Sequence, residues 1–169
     1  MLTFTPISLY HPGALADIIR RSYADLVAGD AARWGQEVRN WDDFDRQAFA
    51  HPETVGKCVF VSCLAGEPVG LASYDPRPGP DYGVIGQNCV LPEFRGRGFG
   101  RAQILEVLRL FKEKGIMAAR VTTSEHPFFV PARRMYEALG FKVVGRSPGG
   151  PDPRYGIIEL QMTLDPVRP

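Results

Sequence analysis

Val90-Leu91-Pro92-Glu93-Phe94-Arg95-Gly96-Arg97-Gly98-Phe99-Gly100-Arg101-Ala102 is the stretch on which the reading of this chain turns. An apolar run over residues 82–91 reads as a strand, and Pro92 ends it. The glycines form a turn. Beyond them Ile104, Leu108 and Phe111 recur at helical spacing, which predicts a helix over 98–114 closed by Gly115. A glycine-rich turn that opens a helix leaves several backbone N–H groups without intrahelical partners, and the helix dipole adds positive potential there. Gly96, Gly98 and Gly100 let an anion approach the backbone, and Arg95, Arg97 and Arg101 add charge around the same spot. The pattern reads as a pyrophosphate cradle; a plain tight turn is the other reading. The usual nucleotide signatures are not met. A Walker loop needs Gly-Lys followed by Ser or Thr, and the dinucleotide fingerprint needs Gly where Arg101 stands.

Working outward, residues 57–64 and 69–74 read as two strands joined by a turn at Ala65-Gly66-Glu67-Pro68. Residues 12–27 predict one helix with Leu15, Ile18, Ile19, Leu26 and Val27 near one face. Residues 31–50 predict a second helix, or two short ones, rich in aromatics and acids. After the central helix come a strand over 117–123, a short helix over 131–139 ended by Gly140, and strands over 141–145 and 157–164. No composition break marks a linker, so the chain predicts one mixed α/β domain.

The 169 residues suffice for a proper core, and 44% hydrophobic with 23% charged residues is ordinary globular composition. No apolar run is long enough for a membrane helix, and the N-terminus lacks a leader pattern, so no membrane association is expected. Cys58, Cys63 and Cys89 lack CxxC spacing and sit in apolar runs, which predicts buried free thiols in a reducing cytoplasm. The three histidines fit no metal pattern, so no metal is expected. The net charge of +1 gives no basic balance for nucleic acid. It conceals an uneven distribution. Residues 1–91 carry 7 basic and 11 acidic side chains, and residues 92–146 carry 11 and 5. An acidic front and a basic middle suit a protein that meets an anion on one side and a cation on the other.

A second element is Ala132-Arg133-Arg134-Met135-Tyr136-Glu137-Ala138-Leu139-Gly140-Phe141. With it, the chain resembles the GNAT N-acetyltransferase superfamily. Arg95, Gly98 and Gly100 match that family's phosphate motif. Cys89, Val90, Leu91 and Pro92 match the strand end before it. Ala132, Tyr136, Gly140 and Phe141 match its later helix. The resemblance implies one domain with a central, mostly antiparallel sheet of about six to seven strands and about four flanking helices. Residues 57–164 would form the sheet and acetyl-CoA core, and residues 1–54 a helical region on the acceptor side.

The resemblance further implies acetyl-CoA as donor and an amine, small molecule or peptide, as acceptor. The donor would be held by Cys89, Val90, Leu91, Arg95, Gly96, Arg97, Gly98, Phe99, Gly100, Arg101, Phe129, Arg133 and Tyr136. Phe129 stands where the family often has Asn. The Val90 N–H would stabilise the tetrahedral oxyanion, and Tyr136 would act as general acid toward the leaving thiolate. An alkyl amine is only roughly one part in a thousand neutral at pH 7, so a base or a drying pocket should help. The strand offers Gln87 and Asn88 rather than a carboxylate, and a water chain is an equal candidate. On the acceptor side stand Trp34, Trp41, Asn88 and Glu125, with Asp42, Asp43 and Asp45 as acids for a cationic acceptor. A homodimer through an exposed C-terminal strand fits the family. The alternative to an enzyme is a non-catalytic acyl-CoA-binding or sensing module.

Overall fold

The computed structural model describes residues 1–165. Among the described residues the strands are β1 (Leu2–Pro6), β2 (Val59–Leu64), β3 (Glu67–Asp75), β4 (Gly83–Val90), β5 (Ala118–Ser124), β6 (Lys142–Ser147) and β7 (Ile157–Thr163). The helices are α1 (Ala14–Ser22), α2 (Ala24–Gly29), α3 (Ala31–Ala50), α4 (Phe99–Glu113) and α5 (Val130–Ala138). The sheet order is β1-β2-β3-β4-β5-β7-β6. β1 with β2, β2 with β3, β5 with β7 and β6 with β7 run antiparallel, and β4 with β5 runs parallel. The expected mixed, mostly antiparallel sheet is thus present, with seven strands and five helices among the described residues. None of these helices is long and apolar enough to cross a membrane.

The chain divides into two compact units. The first comprises residues 1–73 and 87–103, and the second 74–86 and 104 onward. In the first, α1 contributes Leu15, Ile18 and Ile19 to a core completed by Trp41 and Ala48 of α3. Val59, Val61, Cys63, Leu71, Cys89 and Leu91 supply the strand side. β2 is buried along nearly its whole length, which is why it reads as a continuous apolar run rather than an alternation. The start of α1 is held from another helix. Gly13 takes a φ of +97° that favours glycine, and its own side chain cannot cap. Instead the Asp45 carboxylate of α3 accepts from Gly13 N at 2.7 Å, Leu15 N at 2.9 Å and Ala16 N at 3.2 Å.

In the second unit the latter part of α4 presses Phe111 against Tyr74, ring edge to face at 5.7 Å. Gly83 admits that ring, since a Cβ there would lie 2.6 Å from it. Gly115, at φ +71°, closes α4 while the Ile116 N–H returns to the Phe111 carbonyl at 3.0 Å. Gly140 closes α5 in the same manner, with Phe141 N reaching Tyr136 O at 3.1 Å. Both glycine stops are as the sequence predicts. All three cysteines are free and buried.

Three features differ from expectation. The single helix over 12–27 is two helices, because the chain breaks at Tyr23. There the N–H is shared between Ile19 O and Arg20 O, and the ring stacks on Trp41 at 5.3 Å. Residues 2–6 form an edge strand that the sequence reading leaves unassigned. Its five residues gain their ladder from β2, with Phe4 against Phe60 at 4.9 Å. The C-terminal strand β7 is not an edge available for pairing, since β5 and β6 flank it.

Candidate functional site

The glycine turn lies in the first unit. Pro92–Phe94 form a short 3-10 turn after β4, and α4 begins at Phe99. Gly96 and Gly98 have φ of +72° and +80°, and a Cβ at either would meet nothing within 4 Å. Glycine is therefore required by backbone conformation, and the surface over it is bare. The first helical bond runs from Ala102 N to Gly98 O at 3.0 Å, so the N–H groups of Phe99, Gly100 and Arg101 precede the intrahelical ladder.

The arginines of the turn divide in role. Arg95 is exposed, and its guanidinium donates to the Ser22 carbonyl and, through Nε, to the Val90 carbonyl at 3.3 Å. It ties the turn to the end of α1. Arg97 lies 5.7 Å from the Phe94 ring and 5.3 Å from the Phe99 ring, a cation–π bracket that limits its wandering. Arg97 and Arg101 are exposed.

The end of β4 is held on several sides. Leu91 N donates to Val69 O at 2.9 Å, so that peptide faces β3. Alternation along an extended chain then turns the Val90 N–H away from β3. Gly70 of β3 lets the strands approach closely here, since a Cβ would lie 2.2 Å from Cys89 O and 3.1 Å from Val90 Cα. The ladder of β4 with β5 is registered at Gly83↔Ala119 and Val84↔Arg120, while β4 itself continues to Val90. The Cys89 thiol is 4% exposed. Burial pushes it up to about 11, against hydrogen bonds from Ser22 and the Leu71 backbone and the Arg95 charge. A thiol so protonated at neutral pH is no nucleophile.

In the second unit Tyr136 of α5 is 4% exposed and meets Phe141 edge-on at 5.5 Å. Phe129, half-buried, ends a 3-10 turn whose His126 Nδ1 accepts from Phe128 N at 3.1 Å. The His126 ring contacts Tyr155 at 4.8 Å. Arg133 is half-buried on α5. Glu125 pairs with Arg146, and its backbone N–H donates to Gly156 O at 2.9 Å.

Three acids of the front region have partners within the protein. Asp42 pairs with Arg20, Asp43 with Arg46, and Asp45 caps α1. Trp41, expected on the acceptor side, belongs to the core of the first unit, and Trp34 is 4% exposed. Asn88 is half-buried on β4.

The sequence reading missed Gln103. Its side chain is fully buried on α4, and its Nε2 donates to Leu71 O and, at 3.3 Å, to Cys89 O. The available signal was a lone amide on the apolar stripe that carries Val107 and Phe111.

Several comparisons bear on this arrangement. The ribosomal-protein-S18-alanine N-acetyltransferase of Escherichia coli is similar in structure, with TM-score 0.68 and 18% identity over 97% of this chain and 94% of that one. The PaiA N-acetyltransferase of Thermoplasma acidophilum, solved with coenzyme A, superposes with TM-score 0.66 and 16% identity over 94% and 98%. An aminoglycoside 6'-N-acetyltransferase complexed with coenzyme A gives TM-score 0.66 and 18% identity over 99% of both chains. At such identity the likeness is one of fold. No curated protein matches the sequence. The sequence profile of the Acetyltransferase (GNAT) family matches residues 20–141, across β4, the glycine turn, α4 and α5. With that match over most of its length, the chain belongs to the GNAT acetyltransferase family.

Proposed function

We propose that the protein is an acetyl-CoA-dependent N-acetyltransferase acting on a primary amine by direct attack. The observation that carries this reading is the bare glycine turn at the head of α4, within the residues that the family profile matches. The turn suits a pyrophosphate on its own geometry. Gly96 and Gly98 present backbone without Cβ atoms, the first-turn N–H groups lie beside them, and Arg97 and Arg101 supply charge at the surface. The protein similar to this one from Thermoplasma acidophilum binds coenzyme A, as its structure states.

Acetyl-CoA supplies the acetyl group as a thioester open to attack by an amine, with the thiol of CoA as leaving group. The chain's part begins with the turn, which holds the donor's phosphates. The Val90 N–H, facing away from β3, donates to the oxygen on which negative charge develops. One such donor is typically worth about 10²–10³ in rate. The Tyr136 hydroxyl gives its proton to the departing sulfur and recovers one from solvent. The attacking nitrogen loses its proton to water. Cys89 takes no covalent part, because burial keeps its thiol protonated.

Calorimetric titration with acetyl-CoA and CoA, with ATP and NAD as controls, tests the donor site. Micromolar binding of the first two alone is expected. Thiol release across a panel of small amines and peptide N-termini then tests transfer. Absence of binding to acetyl-CoA and CoA would refute the proposal. Binding without release to any amine would replace it with a non-catalytic acyl-CoA module.

A further inference from the structure

We infer that Gln103 is a positioning residue for the Val90 N–H, an inference that rests on the reading of Val90 as oxyanion donor. The starting observation is a polar side chain where the helix needs none. Gln103 is 0% exposed on α4. An amide buried in apolar surroundings is costly unless it is bonded, and a hydrocarbon of like size would pack without that cost. Its use is visible in its orientation. Nε2 donates to two carbonyls on adjacent strands, Leu71 O of β3 and Cys89 O of β4. Its Oε1, by contrast, is buried with no hydrogen-bond partner among the described residues. The amide is placed for its donors, at the expense of its acceptor.

The carbonyl it grips belongs to a particular peptide. Cys89 C=O and Val90 N–H share one planar trans unit and point in opposite directions. A donor that anchors the oxygen therefore fixes the direction of the N–H. Two neighbours restrict the same segment. Gly70 brings β3 against Cys89 O, and Arg95 Nε holds the Val90 carbonyl at 3.3 Å. Leu91 N is fixed on Val69 O. Val90 thus has a held peptide on each side, and the Gln103 bond is the one that sets its N–H. Such a donor acts only if it is preorganised, because a misplacement of about 1 Å can lose up to about 10²-fold in rate.

The test uses acetyl-CoA labelled with ¹³C at the thioester carbonyl, bound to the whole protein and read by isotope-edited infrared spectroscopy. Gln103→Leu removes the donor while keeping bulk. In the parent protein the carbonyl band shifts to lower frequency on binding. In Gln103→Leu at least half of that shift is lost. Affinity for unlabelled CoA, which lacks the carbonyl, stays within about twofold. Where an amine is turned over, kcat falls about tenfold with KM for acetyl-CoA unchanged. An undiminished shift in the variant overturns the inference and leaves the Val90 reading standing. A parent protein that shows no shift overturns the Val90 reading, and this inference with it. Gln103→Met replaces the leucine variant if the latter does not fold by circular dichroism. Failure of both to fold overturns the inference, since the residue then serves the fold as a whole.

Discussion

Replacing Asp45 separates a structural acid from an acceptor-binding one. The carboxylate accepts three backbone N–H groups at the start of α1, at 2.7, 2.9 and 3.2 Å, from a position 5% exposed. Asp45→Ala leaves those donors without it in a largely dry site. Hydrogen bonds to a charged group contribute about 1.5–3 kcal/mol each. Water entering the space left behind and the non-additivity of shared partners reduce the sum, to about 3 kcal/mol overall. A chain of this size loses roughly 2–4 °C of Tm per kcal/mol, so a fall of about 6–12 °C is expected. Asp45→Asn should recover at most about half of that. Its oxygen can keep the Leu15 and Ala16 bonds, but its nitrogen would then face the Gly13 N–H, donor against donor. The assay is thermal and urea denaturation of the three proteins, with CoA affinity measured below the transition. Affinity should be unchanged in both variants. Unaltered stability in Asp45→Ala would refute the capping argument. Unaltered stability with lost amine turnover would return Asp45 to the acceptor site.

Four further outcomes follow from the same geometry, the first being Gln103→Leu as set out above. Gly98→Asp forces a side chain onto a φ of +80° and sets a negative charge over the bare turn, so CoA affinity should fall at least about tenfold; calorimetry giving parent-like affinity would remove the phosphate cradle. Tyr136→Phe should lower kcat while the dissociation constant for CoA stays nearly the same, and equal turnover would end its role as acid. The Cys89 thiol, raised from 9.0 to about 11, contributes stability that is fully present below pH 9 and is lost as pH rises toward 11. Cys89→Ala should therefore flatten the decline in denaturation midpoint over that window, and an unchanged slope would count against the burial argument.

The glycine turn was readable because its requirement is local. A positive φ at Gly96, Gly98, Gly115 and Gly140 follows from backbone sterics that no distant contact alters. Helix α4 was likewise plain, since Ile104, Leu108 and Phe111 repeat at the helical period. Tyr23 shows where that kind of reading stops. The periodicity of α1 and α2 is continuous across it, and the break comes with its ring stacked on Trp41 of another helix. β1 is too short to announce itself and exists through its ladder with β2, far along the chain.

The sequence by itself determined the order of most elements, the glycine stops and the family motif around the turn, because each depends on residues near one another in the chain. Only the tertiary structure decided how the side chains at those motifs are used. The charges of Asp42, Asp43 and Asp45 look alike in sequence, and packing gives them separate partners in Arg20, Arg46 and the start of α1. Arg95 matches the phosphate motif in sequence, and the fold adds bonds from its guanidinium to the Ser22 and Val90 carbonyls. The sequence reading passes over Gln103, whose Nε2 donates to Cys89 O, the carbonyl of the peptide that carries the Val90 N–H. A hydrogen bond between residues distant in sequence leaves no local pattern, because its partner is chosen by the fold.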